Sequence, residues 1–198
     1  MPARVKERAA REEALTLRFA TPGGSPSGID RRSVSRASSP WLVRPPKAGD
    51  HGQIAKLACQ LGYPSTPDEI RARLEQARRR AQSAVLVAEG PDGEVVGWVG
   101  VYVFRSVETD PYAEISGLVV DEKVRSRGIG RVLLQAAEEW ALGQGCDEIA
   151  VHSNVIRKRA HAFYEQNGYR LRKTQAALHK GLSSPSPRGG KAKTRRRR

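Results

Sequence analysis

Ala113-Glu-Ile-Ser-Gly-Leu-Val-Val-Asp-Glu-Lys-Val-Arg-Ser-Arg-Gly-Ile-Gly130, with the residues that follow to Trp140, decides how this chain folds. The segment up to Val120 is apolar and β-branched, as a buried strand requires. A helix is expected from near Arg131, because Leu133, Ala136, Ala137, Trp140 and Ala141 recur at i, i+3, i+4, i+7 and i+8 and form one apolar stripe. Between strand and helix lies a turn containing Gly128 and Gly130, flanked by Arg125, Arg127 and Arg131. Glycine allows the backbone to approach a ligand closely, and the first N–H groups of a helix point outward without helical partners. The helix dipole and the arginines add positive potential, so the turn reads as a seat for a phosphate or pyrophosphate. A pair of glycines alone would indicate only an exposed turn; the strand before and the helix after favour the anion site.

Working outward, Trp41-Leu-Val-Arg44 reads as a strand ended by Pro45 and Pro46. A helix follows, with Asp50 as its cap, Gln53 at the third helical position and Ile54, Leu57, Ala58 and Leu61 as its stripe. Gly62 and Pro64 close it. Thr66-Pro-Asp-Glu69 then supplies a cap, a first-turn proline and a capping-box glutamate for a second helix, buried through Ile70, Leu74 and Ala77. Its Arg71, Arg73, Arg78, Arg79 and Arg80 read as a solvated face. Ala84 to Glu89 and Val95 to Phe104 are strands joined by a turn at Pro91-Asp-Gly93, with Gly97 and Gly100 marking a bulge or a close approach. Glu148 to Asn154 is a further strand, Lys158 to Gln166 a helix stopped at Asn167-Gly168, and Tyr169–Arg172 and Thr174–Leu182 read as two final strands. The pattern predicts an α/β domain over residues 41–182, with a mixed, mostly antiparallel sheet of about six to seven strands and about four helices.

Arg125-Ser-Arg-Gly-Ile-Gly130 resembles the R/Q-x-x-G-x-G/A loop of the GNAT superfamily of acetyl-CoA-dependent N-acetyltransferases. Leu118-Val119-Val120 and Asp121 are similar to that family's fourth strand and its exit. The resemblance implies that Arg125, Ser126, Arg127, Gly128, Ile129, Gly130 and Arg131 hold the pyrophosphate of acetyl-CoA. It also implies that the backbone of Leu118, Val119 and Val120 pairs with the pantetheine arm, with Asn154 beside it. Ala160-His-Ala-Phe-Tyr-Glu-Gln-Asn-Gly-Tyr169 resembles the family's A-x-x-F-Y-x-x-x-G-F/Y segment, which places Tyr164 near the sulfur as proton donor.

Acetyl transfer to an amine needs a base for the amine, donors for the oxyanion, an acid for the leaving thiolate and alignment of both reactants. Tyr164 is the expected acid. Glu114 is the expected base: it alternates with Ser116, Leu118 and Val120 on one strand face, and burial on a strand suits a carboxylate to that work. It precedes Arg125 by eleven positions, the spacing of the base in the histone-type branch. A salt bridge, a site for a cationic substrate or an ordered water chain as base are the other readings of this position. His152 ranks below it as a relay, and the oxyanion donor is expected near Val119. The acceptor is read as a small-molecule amine, the segments being similar to the aminoglycoside 6′-N-acetyltransferase-like branch. Protein lysine or N-terminal amines are the alternative, and a non-catalytic acyl-CoA-binding module is the alternative of another class. By the same resemblance, acceptor choice lies in the first two helices and the loop from Arg105 to Pro111.

Charge is concentrated at the ends. Of the net +14, residues 1–40 carry +4, residues 181–198 carry +7 and the 140 residues between them only +3. Residues 1–40 and 183–198, rich in Ser, Pro, Gly and Arg, are expected to be disordered. The four terminal arginines suit weak, non-specific polyanion contact, and no interleaved aromatics support base stacking. Cys59 reads as core and Cys146 as a helix-end residue, so no metal site or disulfide is expected, which fits the cytoplasm. No apolar run approaches a membrane span. Dimers are frequent in the resembled family, but no residue here argues for a homodimer.

Overall fold

Five strands form because five segments carry β-branched or alternating apolar residues, and their connections leave four of them in a meander. A computed structural model describes residues 40–182, and the expectations for residues 1–39 and 183–198 lie outside it. The chain divides after Asn154 into two compact units. In the first, β1 (Leu42–Arg44) is followed by a 3-10 turn (Ala48–Asp50), α1 (His51–Leu61) and α2 (Pro67–Arg79). Then come β2 (Ser83–Glu89), β3 (Val95–Phe104), β4 (Tyr112–Val120), a 3-10 turn (Glu122–Val124), α3 (Ile129–Gly143) and β5 (Ile149–Val151). The sheet order is β1-β2-β3-β4-β5; all pairs are antiparallel except β4 with β5, which is parallel. The second unit holds α4 (Lys158–Gln166).

Helices cover both faces of the sheet. Ile54, Ala55, Leu57 and Ala58 of α1 and Ile70 and Leu74 of α2 pack with Val87, Val95 and Val119, and Leu61, Val85 and Trp98 close in beside them. Each fully buried Leu, Ile or Val in such a cluster contributes about 1.5–3 kcal/mol. On α3 the whole anticipated stripe is buried. Leu133 lies against Gly97, where an added Cβ would stand 3.1 Å from its Cδ1 and 2.8 Å from the Val119 carbonyl oxygen. That close approach explains the glycine.

Local chemistry sets the boundaries. Thr66 Oγ1 accepts from the Glu69 N–H at 3.2 Å while Glu69 returns a carboxylate to the Thr66 N–H at 2.8 Å, the reciprocal cap foreseen for α2. Gly62 ends α1 in the left-handed region, φ 99°. Asp50 does not cap α1. Its carboxylate accepts from Arg44 Nη1 and from the Lys47 N–H, both at 2.6 Å, and Gln53 Oε1 accepts instead from the Val95 N–H at 2.6 Å. Cys59, one residue past Ala58, falls off the buried stripe and is exposed rather than core, whereas Cys146 is buried.

The two final strands expected over 169–182 are not formed, and among the described residues the sheet has five strands rather than six or seven. Leu171, Leu178 and Leu182 are exposed, and these segments hold too few β-branched or apolar residues to gain from joining a sheet. The strand expected to reach Asn154 ends at Val151.

Arg44 joins β1, β2 and the turn before α1. Its guanidinium pairs with Asp50 and Glu89, and the Arg44 and Asp50 side chains are each only 9% exposed. Burial pushes the Asp50 carboxyl up, but the Arg44 and Lys47 hydrogen bonds outweigh it and leave the pKa below its ordinary value. Arg44 likewise holds Glu89 low. Arg44→Ala strands a buried carboxylate and is expected to cost about 3–5 kcal/mol in urea unfolding. Because these carboxyls are depressed in the folded state, their stabilisation is present above the unfolded carboxylate range. It is lost as pH falls below about 4. A wild-type stability that stays flat through that range would contradict the linkage.

Candidate active site

The decisive irregularity is in β4. Gly100 pairs with Gly117 and Val101 with Ile115, so Ser116 is an extra residue on β4, a bulge. A Cβ on Gly100 would meet Ser116 Oγ at 2.5 Å, and one on Gly117 would meet Trp98 and Leu61, so Ser116 and Gly117 face the α1–α2 side together. Glu114, paired with Tyr102, shares that face. Leu118 and Val120 do not: the bulge puts them on the α3 side, which corrects the simple alternation expected from Glu114 to Val120.

Backbone direction follows from the same ladder. The Asp121 N–H donates to the Val96 carbonyl at 2.8 Å, which sets the phase of antiparallel bonding. Gly117 and Val119 therefore direct their backbone groups to β3, and Leu118 and Val120 direct theirs to the opposite edge. β5 pairs only with Ala113, Glu114 and Ile115, so that edge meets no strand from Ser116 onward among the described residues. An extended ligand can bond there, and the free donors belong to Leu118 and Val120. The N–H groups that open on that edge are thus those on either side of Val119.

The loop beyond is held in place by its own residues. Asp121 Oδ1 accepts from the Lys123 N–H at 3.0 Å, and Gln60 Oε1 of α1 accepts from the Glu122 N–H at 3.1 Å. Arg125 Nε donates to the Val120 carbonyl at 3.1 Å and its Nη2 meets Glu122 at 3.2 Å, so this arginine braces the loop. Trp41 Nε1 donates to the Arg127 carbonyl at 3.2 Å. Ser126 is the one non-glycine at positive φ among the described residues, 65°, and Gly128 precedes α3 at φ 84°. These turns bring Ser126, Arg127, Gly128 and Arg131 to the surface and bury Ile129. A Cβ at Gly128 would meet nothing within 4 Å, so open space lies over the start of α3. The helix begins two residues earlier than expected, with its first N–H groups opening on that space. Backbone donors, exposed arginines and an open strand edge fit a nucleotide diphosphate followed by an extended amide chain.

Glu114 sits among hydrogen-bonding groups. His152 Nδ1 lies 3.1 Å from its carboxylate, and the Tyr102 hydroxyl donates to it. Its side chain is only 13% exposed, whereas that of His152 is 61% exposed. Burial, then the Glu114 hydrogen bond and charge, raises the Tyr102 phenol well above its ordinary value, so it remains a proton-bearing donor. Tyr102 was not legible as a site residue because only the β3–β4 register brings it to Glu114. A cavity of about 320 Å³ adjoins it, lined in part by Arg73, Arg80, Ser83, Tyr102 and Ser116. Arg73 on α2 and Arg80 just past its end, both exposed, thus border this cavity.

In the second unit, Tyr164 lies on α4, half-buried, with the Phe163 ring centroid 5.2 Å and the Tyr169 centroid 5.4 Å away. Burial pushes its phenol up to about 12 against the opposing charge of Arg157. It therefore stays protonated through neutral pH, as a proton donor must. Asn167 Nδ2 donates to the Phe163 carbonyl at 2.8 Å and helps end the helix. Asn154 is exposed beyond β5. Among the described residues, no helix is long and apolar enough to cross a membrane, and no group of His, Cys, Asp and Glu is placed to hold a metal.

The family model described as "Acetyltransferase (GNAT) family" matches residues 52–169. The chain is 34% identical over 144 residues to an "Aminoglycoside N(6')-acetyltransferase type 1" of Klebsiella aerogenes, a match covering 67% of this chain and 90% of that protein. Solved structures that share its fold include the following two. One is the aminoglycoside antibiotic 6'-N-acetyltransferase AAC(6')-Ih of Acinetobacter baumannii, at TM-score 0.64 and 21% identity over 72% of this chain and 99% of that one. The other is AAC(6')-Iy in complex with the bisubstrate analog CoA-S-monomethyl-acetylneamine, at TM-score 0.63 and 19% identity over 72% and 99%.

Proposed function

The chain belongs to the GNAT family of acetyl-CoA-dependent acetyltransferases, and from that premise we propose that it acetylates a primary amine of a small molecule by direct attack in a ternary complex. The observation that carries this reading is a single strand with a half-buried carboxylate at Glu114 and an open backbone edge at Leu118 and Val120. The names of relatives such as the Klebsiella aerogenes protein make an aminoglycoside the first acceptor to try.

Bound acetyl-CoA supplies an acetyl thioester. The chain's own groups do the rest. Gly128, Ile129 and Gly130 offer N–H groups to the pyrophosphate, with Ser126, Arg127 and Arg131 exposed around them and Arg125 holding the loop. Leu118 and Val120 offer backbone groups to the extended arm and a donor for the oxyanion, and Asn154 stands beside the arm in this reading. Glu114 takes the amine's proton at its carboxylate while Tyr102 and His152 hold that carboxylate in one orientation. Tyr164 holds a proton at its phenolic oxygen for the departing sulfur.

The test is free-thiol release from acetyl-CoA against aminoglycosides, polyamines, amino acids and lysine peptides. Turnover of a small amine is expected, and turnover of lysine peptides alone would replace the small-molecule acceptor with a protein. With the active amine, Tyr164→Phe should lower the chemical rate by about 10²-fold or more and leave acetyl-CoA affinity unchanged. A wild-type rate in that variant removes Tyr164 as the acid.

A further inference from the structure

The cavity beside Tyr102 has a charged side that the reaction outlined above does not use. Arg73 lies on α2, and Arg80 follows its last residue in an extended conformation, φ -94° and ψ 103°. Both line the cavity, with Gln76 between them, Ser83 on β2 and Ser116 at the β4 bulge. No acidic residue lines it. Arg73 Nη1 donates to Ser65 Oγ at 2.7 Å and has Glu69 one turn away as a charged neighbour. Arg80 has no ion-pair partner among the described residues, although Asp68, Glu69 and Glu75 all lie on α2. Tyr102, itself a lining residue, donates its hydroxyl to the Glu114 carboxylate. The cavity therefore has a cationic side at Arg73 and Arg80, and a carboxylate one hydrogen bond beyond its Tyr102 lining.

Two guanidiniums repel a polycation and pair with a carboxylate, phosphate or phosphonate, for which their planar forks supply matching donors. A cavity of about 320 Å³ suits a ligand of small-metabolite size. We infer that the acceptor is a small ampholyte, a primary amine carrying an anionic group that Arg73 and Arg80 hold while the amine faces Glu114. This rests on the proposed acetyltransferase reading and narrows it, away from polycationic amino sugars.

Matched acceptors test it. Thiol release with aminopropylphosphonate and β-alanine is compared with aminopropanol and with a polycationic aminoglycoside. Calorimetry with propylphosphonate, which has no amine, reads the anion subsite without any turnover. The expected result is a preference of about tenfold or more in kcat/KM for an anionic acceptor, carried by KM. Arg80→Gln, an exposed substitution, should collapse that ratio and weaken propylphosphonate binding by a similar factor. The stronger of the two anionic acceptors identifies the anion as phosphonate-like or carboxylate. Equal or better turnover of aminopropanol or the aminoglycoside overturns the proposal and leaves the acetyltransferase reading standing. So does propylphosphonate binding that is absent from the wild type or unchanged in Arg80→Gln. Should no amine be acetylated while propylphosphonate binds through Arg80, the anion subsite stands and the assignment of Glu114 falls.

Discussion

Gly128→Glu is expected to abolish acetyl-CoA binding, raising the dissociation constant by at least about 100-fold, while the protein remains folded. The side chain would enter open space, so it creates no clash. A backbone at φ 84° disfavours any L-residue by about 1–2 kcal/mol. A carboxylate at a helix N-terminus returns about 0.3–1 kcal/mol of that through the dipole. The net loss of stability is thus small. The same carboxylate would occupy the position proposed for the pyrophosphate, where two like charges would share one set of donors. Gly128→Asn separates strain from charge, because asparagine tolerates the left-handed conformation and is neutral; it should retain most of the binding. Calorimetry with acetyl-CoA and a melting curve for each variant settle the comparison. Unchanged affinity in Gly128→Glu would remove the phosphate site from this loop.

Glu114→Gln should lower kcat by about 10²- to 10⁴-fold with acetyl-CoA affinity preserved. Glutamine keeps the shape and can still accept hydrogen bonds from Tyr102 and His152, but it cannot take a proton from an ammonium group. Tyr102→Phe is a milder change: it removes one partner of the carboxylate and leaves the base. A Glu114→Gln enzyme with wild-type turnover would transfer the base role to an ordered water chain.

What was legible in the sequence was whatever depends on neighbours along the chain. The α3 stripe, the Thr66–Glu69 cap, the turn at Gly93 and the limits of β3 and α4 all follow from local periodicity and capping chemistry. The glycine-bearing loop was legible for the same reason. Features that depend on distant partners were not. Asp50 looks like a helix cap until Arg44 claims its carboxylate. Tyr102 looks like one more strand aromatic until the register brings it to Glu114. The bulge at Ser116 has no compositional mark of its own, although the glycines opposite and beside it, Gly100 and Gly117, hint at crowding there. The missing strands over 169–182 show the converse: alternation without enough apolar surface does not secure a place in a sheet.

The extra residue at Ser116 has a mechanical consequence. Without it, the side chains of Glu114, Leu118 and Val120 would project to the same face of the sheet and crowd the space beside the carboxylate. With it, one strand offers a carboxylate on one face and backbone groups along its open edge, so that both reactants can meet beside it. In the proposed reaction, the spacing between the proton acceptor and the acyl anchor is then set by a short covalent tether rather than by how well separate elements pack. A shift of β4 under load carries both anchors together, so their relative alignment survives motions that would misalign a site assembled from independent segments.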